Sequence, residues 1–220
     1  MLRARSEGND CLLRARDGPQ YGVLRPGYQG RRQAGGPEVL LLTSAPMPAV
    51  TDRPCNVLFL CTGNSARSIM AEALLGKLGA PRFRAWSAGS QPVGRVNPCA
   101  ERELRVMGVD PAGFRSKSWH EFAAPGAPKL DIVITVCDNA AGEVCPVWPG
   151  QPITAHWGFP DPAAVEGDDA TKQHAFAQVA HQLRTRIQLL LSLPMDKLDR
   201  LALQAHVRAM GSPADADTTR

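Results

Sequence analysis

A buried strand, a glycine-containing loop and the first turn of a helix follow one another in Val57-Leu58-Phe59-Leu60-Cys61-Thr62-Gly63-Asn64-Ser65-Ala66-Arg67-Ser68. The four apolar residues before Cys61 are typical of a strand that is covered on both faces of a parallel sheet. Ligands of such sheets bind at the carboxyl ends of the strands, where N–H groups of the loop and of the helix N-terminus favour an anion. The segment therefore predicts an oxyanion site around Cys61.

The residue types of this loop suit a thiol nucleophile that attacks an oxyanion. Its N–H groups lower a thiol pKa from about 8.5 to between roughly 3.5 and 7.5, so we expect Cys61 to be a thiolate at neutral pH. The planar guanidinium of Arg67 can bind two oxygens of a tetrahedral oxyanion. Gly63 lets the backbone approach the ligand, Ser68 can donate to the thiolate and Asn64 can hold the loop. The other predicted oxyanion-binding positions are Thr62, Ser65 and Ala66. The alternative, a core cysteine followed by a surface arginine, accounts poorly for the whole octet.

Strand and helix patterns alternate on both sides of this segment, which indicates an α/β fold with a parallel sheet and helices on both faces. Further strands are predicted over 83–88, 131–136 and 153–157. A helix is predicted over 66–78, where Gly79 would follow the last turn, and another from Pro98 to about 107, with Asn97 as its N-cap. A long helix with one apolar face is predicted to end before Pro194, and a last helix is predicted over 197–209.

The composition excludes several classes of protein. No apolar run approaches the roughly 20 residues of a membrane span. Residues 1–46 hold seven Arg and four acidic residues, whereas the rest holds 18 basic and 17 acidic residues, so no basic nucleic-acid footprint is expected there. Six cysteines and no secretory signal favour a reducing cytoplasm. We expect a disordered extension over 1–46, one domain over 47–211 and a disordered tail over 212–220.

The octet Cys61–Ser68 resembles the phosphate loop of low-molecular-weight tyrosine phosphatases and of the arsenate reductases that share their fold. The resemblance extends from about Asn56 to Gly211. It implies a four-stranded parallel sheet in the order 2-1-3-4.

A second segment, His156-Trp157-Gly158-Phe159-Pro160-Asp161-Pro162, resembles the acid loop of that family. The resemblance implies that Asp161 protonates the leaving oxygen. Alone, the segment would indicate only an Asp-Pro turn.

Two cysteines add a redox character to the predicted site. Cys137 ends the third strand as Cys61 ends the first, and neighbouring strands lie about 4.8 Å apart, within the reach of a disulfide. Cys145 lies beyond Gly142 in a polar loop. The segment resembles the redox-cysteine segment of thioredoxin-coupled arsenate reductases, which implies a disulfide relay through Cys61, Cys137 and Cys145. Two independent buried thiols are the alternative.

Departures from the phosphatase pattern favour a small inorganic substrate. Ile69 and Ala163 stand where the phosphatases usually have a proline and an aromatic residue. We therefore expect arsenate reduction, with hydrolysis of phosphotyrosine or another phosphoester and a non-catalytic oxyanion-binding redox sensor as alternatives.

No bound cofactor or metal is expected. The electron donor would be an external thiol, with thioredoxin favoured over glutathione with glutaredoxin or over mycothiol. His120 stands where related reductases are expected to have an acidic residue, and Glu72 is expected to be a solvated helix charge rather than part of a cation site.

Overall fold

A computed structural model describes residues 53–137, 139–140 and 147–211 of the chain. Cys145 and the predicted segments 1–46 and 212–220 lie outside the described residues. The division of the chain into three segments therefore stays a prediction.

Four short parallel strands form one sheet in the order β2-β1-β3-β4, as predicted. They are β1 (Cys55–Cys61), β2 (Phe83–Gly89), β3 (Ile132–Thr135) and β4 (Ile153–His156). The four apolar residues of β1, 57–60, are fully buried, which agrees with a strand covered on both faces. Because β1 is central and pairs with both β2 and β3, the chain segments after Cys61, Gly89 and Thr135 leave the sheet at one edge.

The helices are α1 (Arg67–Gly79), α2 (Pro98–Val106), α3 (Asp169–Ser192) and α4 (Arg200–Ala209). The predicted N-cap of α2 is present, because Asn97 Oδ1 accepts a hydrogen bond of 2.8 Å from Cys99 N. None of the helices in the described part of the chain combines the length and the apolar character that a membrane span needs.

The end of α1 differs from the prediction. Gly79 is the last residue of the helix rather than the residue after it, and Ala80 is extended with ψ 143°. The helix ends there because Ala80 precedes Pro81, and a residue before proline is driven out of the helical region. The ammonium of Lys77, in the last turn of α1, donates to the carbonyl groups of Met107 and Gly108 at the end of α2.

Helical segments cover both faces of the sheet. On one face, Val57 and Phe59 of β1 pack in a large cluster with α1 and α3, which includes Leu75 and Ile187. On the other face, Leu58 and Leu60 pack with the short 3₁₀ helix Trp119–Phe122, with Trp148 and with the other members of a smaller cluster.

The last helix, α4, lies along the outer side of the edge strand β4. Arg208 Nε donates to the carbonyl oxygen of Thr154 at 3.0 Å, and Trp157 Nε1 donates to the carbonyl oxygen of Val207 at 2.9 Å. Gly211 follows α4 at close range, since a Cβ atom there would lie 1.7 Å from the carbonyl oxygen of His156. The base of the predicted acid loop is therefore fixed by contacts from the end of the described chain.

Candidate active site

The predicted nucleophile lies at the end of β1, inside the loop that joins β1 to α1. Cys61 is 4% exposed. Its Sγ is 2.9 Å from the hydroxyl oxygen of Ser68 and accepts a hydrogen bond of 3.2 Å from the backbone N of Asn64. The loop thus folds around the sulfur, and two of the predicted loop residues contact it directly.

Asn64 holds the shape of this loop. It is fully buried and has a φ of 42°, in the left-handed region that asparagine tolerates better than most residues. Its Oδ1 accepts from the backbone N of Lys117 at 2.7 Å, and its Nδ2 donates to the hydroxyl oxygens of Ser68 and Ser87, each at 2.9 Å. Both ends of the carboxamide are therefore occupied, which fixes its orientation and the position of Ser68.

The loop lies against the end of β2 at a glycine. A Cβ atom on Gly89 would be 2.4 Å from the carbonyl oxygen of Thr62, so only glycine allows this approach. At Gly63 the nearest atoms to a Cβ would be 3.4 Å away or more. The fold does not require glycine at position 63, and the predicted reason for it, approach of the ligand, remains a prediction.

Glu72 is not the solvated helix charge that was predicted. Its side chain is 14% exposed and forms an ion pair of 3.4 Å with Lys117 Nζ, whose side chain is 8% exposed. Burial raises the pKa of the Glu72 carboxyl group, and the charge of Lys117 acts against that rise. The sequence pattern of α1 did not predict this ion pair, because Lys117, the partner of Glu72, comes from a loop that is distant along the chain.

Two effects oppose each other at the Cys61 thiol. Burial raises its pKa, whereas hydrogen bonds from Ser68 and Asn64 lower it, and the proximity of the Cys137 thiol adds to the rise. Burial is the larger effect, so the pKa of Cys61 lies above its ordinary value, opposite to the direction predicted from the loop alone.

The predicted oxyanion-binding arginine and the predicted acid lie together. Arg67 Nη2 forms an ion pair of 3.0 Å with Asp161 Oδ2, and Arg67 Nη1 donates to the carbonyl oxygen of Phe159 at 3.0 Å. Asp161 also begins the 3₁₀ helix Pro162–Ala164, since its Oδ1 accepts from Ala163 N at 3.1 Å. The Asp-Pro turn and the acid-loop interpretation thus describe the same residue, and they do not exclude each other.

The acid loop is anchored from α3 by Arg186, a residue that the sequence pattern did not single out. The guanidinium of Arg186 lies 4.5 Å from the centroid of the Phe159 ring and donates to the carbonyl oxygen of Gly158 at 3.2 Å. Burial lowers the pKa of Arg186. The contacts fix the predicted acid loop between its base at His156 and Asp161.

Cys137 lies beside the same loop, on the neighbouring strand. It follows β3, which pairs with β1 so that Leu60 is opposite Thr135. Its side chain is 2% exposed, and its Sγ is 3.7 Å from Thr62 Oγ1. The structure therefore brings a second free thiol to the predicted oxyanion site. Cys145, its predicted partner, lies outside the described residues.

At the rim of the site, this chain has alanine at position 163, where the phosphatases that the octet resembles usually have an aromatic residue. Ala163 is exposed, and Ile69 is fully buried with Ala73 and Leu104. Val93, which was not predicted, is 59% exposed, and its backbone N donates to the carbonyl oxygen of Gly63 at 3.0 Å. Within the described residues, no three side chains of His, Cys, Asp or Glu are grouped so that they could hold a metal ion.

Ser65 and Ala66 complete the loop through their backbones. The carbonyl oxygen of Ser65 accepts from Asn97 N at 2.9 Å, and that of Ala66 accepts from Met70 N in the first turn of α1. These hydrogen bonds connect the loop to the segment before α2 and to α1, the helix that follows the loop.

Comparison with known proteins gives a consistent group of relatives. The family model for low molecular weight phosphotyrosine protein phosphatase matches residues 56–203. The arsenate reductase of Halalkalibacterium halodurans is 38% identical over 131 residues, 60% of this chain and 91% of that protein. The arsenate reductase of Bacillus subtilis is 34% identical over 131 residues, with the same two coverages. A solved structure described as an arsenate reductase in oxidized state is 28% identical with a TM-score of 0.50, over 62% of this chain and 96% of that chain.

Proposed function

This chain belongs to the low molecular weight phosphotyrosine protein phosphatase family, and we propose that it reduces arsenate to arsenite at Cys61. The observation that carries the proposal is the second buried thiol, Cys137, held 3.7 Å from Thr62 of the oxyanion loop. Hydrolysis of a phosphoester needs only a nucleophile, a cation and an acid. Reduction needs two electrons in addition, which a pair of thiols can supply by forming a disulfide. The arsenate reductases among the relatives support the same choice.

The first step forms a covalent adduct. The Cys61 thiolate attacks the arsenic of arsenate, the bond from arsenic to a hydroxyl oxygen breaks, and protonated Asp161 donates its proton so that this hydroxyl leaves as water. Arg67 binds two of the remaining oxygens and gives up its ion pair with Asp161 to do so. Arsenic keeps its oxidation state in this step.

The second step transfers the electrons. The Cys137 thiolate attacks Cys61 Sγ, a sulfur–sulfur bond forms, and the electron pair of the sulfur–arsenic bond stays with arsenic, which leaves as arsenite. The two thiols are oxidised and arsenic is reduced by two electrons. In the third step Cys145 attacks Cys137, Cys61 leaves as a thiolate, and a Cys137–Cys145 disulfide remains.

An external dithiol then reduces this disulfide. We favour a thioredoxin-type donor, because a disulfide between two protein cysteines suits dithiol exchange. A glutathione and glutaredoxin system would instead resolve the adduct without Cys137. We place this cycle in a reducing compartment such as the cytoplasm, where dithiol donors keep cysteines reduced.

Steady-state turnover of arsenate with thioredoxin, thioredoxin reductase and NADPH, run beside hydrolysis of para-nitrophenyl phosphate, tests the proposal. We expect Cys61→Ser to lose both reactions, because the site would not ionise a serine hydroxyl. Cys137→Ser is expected to lose arsenate reduction and to keep slow phosphate hydrolysis. Cys145→Ser is expected to release one arsenite per chain and then to stop as a Cys61–Cys137 disulfide, which peptide mapping would identify.

Wild-type arsenate turnover in both Cys137→Ser and Cys145→Ser would contradict the relay and would point to an external thiol. Hydrolysis without any arsenate reduction in the wild-type chain would favour the phosphatase alternative, which the Arg67–Asp161 pair could serve. Neither reaction, with oxidation of the cysteines by peroxide instead, would favour a redox sensor.

A further inference from the structure

A buried ion pair lies beside the predicted oxyanion loop. Lys117 Nζ and Glu72 Oε2 are 3.4 Å apart, and the two side chains are 8% and 14% exposed. Removal of two charges from water usually costs as much free energy as their attraction returns, so such a pair is weak support for stability by itself. The pair needs a further explanation, and its neighbours suggest one.

These neighbours form a hydrogen-bond chain that runs from the ion pair to the nucleophile. The hydroxyl group of Ser87 donates to the Glu72 carboxylate, so its oxygen can only accept from other groups. It accepts from Asn64 Nδ2 at 2.9 Å and from Lys117 Nζ at 3.5 Å. The second Nδ2 hydrogen of Asn64 goes to the Ser68 oxygen at 2.9 Å. The hydrogen of Ser68 is thereby left for Cys61 Sγ, 2.9 Å away.

The charge of Glu72 decides how the Ser87 hydroxyl group is used in this chain. An ionised carboxylate accepts only, which forces Ser87 to donate to it and to accept from Asn64. A protonated Glu72 could donate to Ser87 instead, which would free the Ser87 hydroxyl to compete for other acceptors. Lys117 also holds the far end of Asn64, since its backbone N donates to Asn64 Oδ1 at 2.7 Å.

We propose that Lys117 is a positioning residue for Cys61: it keeps Glu72 ionised, so that Ser87 accepts from Asn64 and holds the carboxamide whose bond to Ser68 leaves the Ser68 hydroxyl hydrogen for the Cys61 thiolate. The inference rests on the proposed function only in taking Cys61 as the nucleophile. This role would explain why the buried pair is charged, since two apolar residues in its place could not fix the direction of a hydrogen bond from Ser87.

The charges around Glu72 agree with this assignment. Burial raises the pKa of its carboxyl group, and the groups that act against the rise are Lys117, through its charge and a hydrogen bond, Ser87 through a hydrogen bond and, more weakly, the charge of Arg115. Loss of the Lys117 ammonium removes the larger of the two opposing charges. The titratable group that faces Cys61 from the neighbouring strand is Cys137, which none of the substitutions below alters.

The pH profile of alkylation of Cys61 by iodoacetamide, read by peptide mass spectrometry, tests the proposal without arsenate turnover. Lys117→Met is expected to move the midpoint of that profile upward by about one unit, which lowers the reaction rate at neutral pH about tenfold. The double variant Glu72→Gln with Lys117→Met is expected to return toward the wild-type midpoint, because a neutral amide oxygen still accepts from Ser87. Lys77→Met is the matched control, because it removes from the helix that carries Glu72 an ammonium whose hydrogen bonds go to Met107 and Gly108 and not to the chain that ends at Cys61.

A purely structural role would lower the melting temperature of Lys117→Met and leave the midpoint of the folded protein unchanged, and that result would overturn the proposal. So would a double variant that is shifted as far as the single one. If Lys117→Met does not fold, Ser87→Ala interrupts the same chain while the ion pair stays, and a wild-type midpoint in that variant would overturn the proposal. The alkylation profile can be measured even if the protein does not reduce arsenate. The positioning role of Lys117 and the proposed function can therefore be contradicted separately.

Discussion

Arg67 uses two nitrogen atoms for two different partners, the Asp161 carboxylate and the Phe159 carbonyl group. A lysine has one terminal nitrogen and cannot keep this geometry or bind two oxygens of an oxyanion in its place. We predict that Arg67→Lys weakens the protection of Cys61 from alkylation by arsenate at least about tenfold, since the loss of a charge-assisted hydrogen bond costs roughly 1.5–3 kcal/mol. Alkylation rates at a series of arsenate concentrations would measure it, and unchanged protection would show that Arg67 does not bind the anion.

The balance at the Cys61 thiol gives a second prediction at the scale of one residue. Because burial raises its pKa, the thiolate fraction should increase as the pH rises toward that pKa. We expect the alkylation rate of the free protein to be still climbing above the ordinary cysteine pKa of about 8.5, and Ser68→Ala to move the climb further upward, since the hydrogen bond from Ser68 lowers the pKa. A rate that is already constant above about pH 6 would show that the loop donors outweigh burial.

At the scale of single residues, the sequence predicts contacts within a contiguous segment and misses contacts between residues that lie far apart along the chain. The octet Cys61–Ser68 is contiguous, so residue type and spacing alone indicated its loop. Lys117 and Ser87 lie 53 and 23 positions from Asn64, and only the fold brings them to it. Nothing in the spacing of a lone lysine shows that it is buried.

At the scale of elements, the acid loop depends on a contact from α3. Arg186 lies over the Phe159 ring and donates to the Gly158 carbonyl oxygen. We predict that Arg186→Gln lowers the rate of para-nitrophenyl phosphate hydrolysis about tenfold with little change in KM, because the loss of roughly 1–2 kcal/mol would leave Asp161 misplaced more often. Arg184→Gln on the same helix is the control. An equal loss in both variants would mean that the helix, and not the loop contact, is disturbed.

Strands and helices followed the sequence pattern because their causes are also local. Apolar runs predicted β1 to β4, and the Asn97-Pro98 pair predicted the start of α2. The end of α1 was misjudged because Gly79 was taken as the stop signal, although Ala80 before Pro81 ends the helix. The sheet order came from family resemblance, since the spacing of strands along the chain does not fix their order in space.

At the scale of the whole molecule, the composition of residues 1–46 suggests that they add nothing to the stability of the domain. They contain little patterned apolar sequence to offset the entropy of ordering. We predict that a chain starting at Met47 has the melting temperature and the arsenate turnover of the full chain. Differential scanning calorimetry and the coupled assay would measure both, and a large fall in either would show that the first 46 residues stabilise the domain.

A parallel sheet that ends in an open edge can recruit a strand from another molecule. The outward carbonyl groups of β4 are not available for that purpose, because Arg208 binds that of Thr154 and Gly211 lies against that of His156. Strand exchange or fibril growth from this side would first require α4 to detach and Trp157 to lose its bond to Val207. The helix that holds the base of the predicted acid loop therefore also covers this edge of the sheet against pairing with a strand of another molecule.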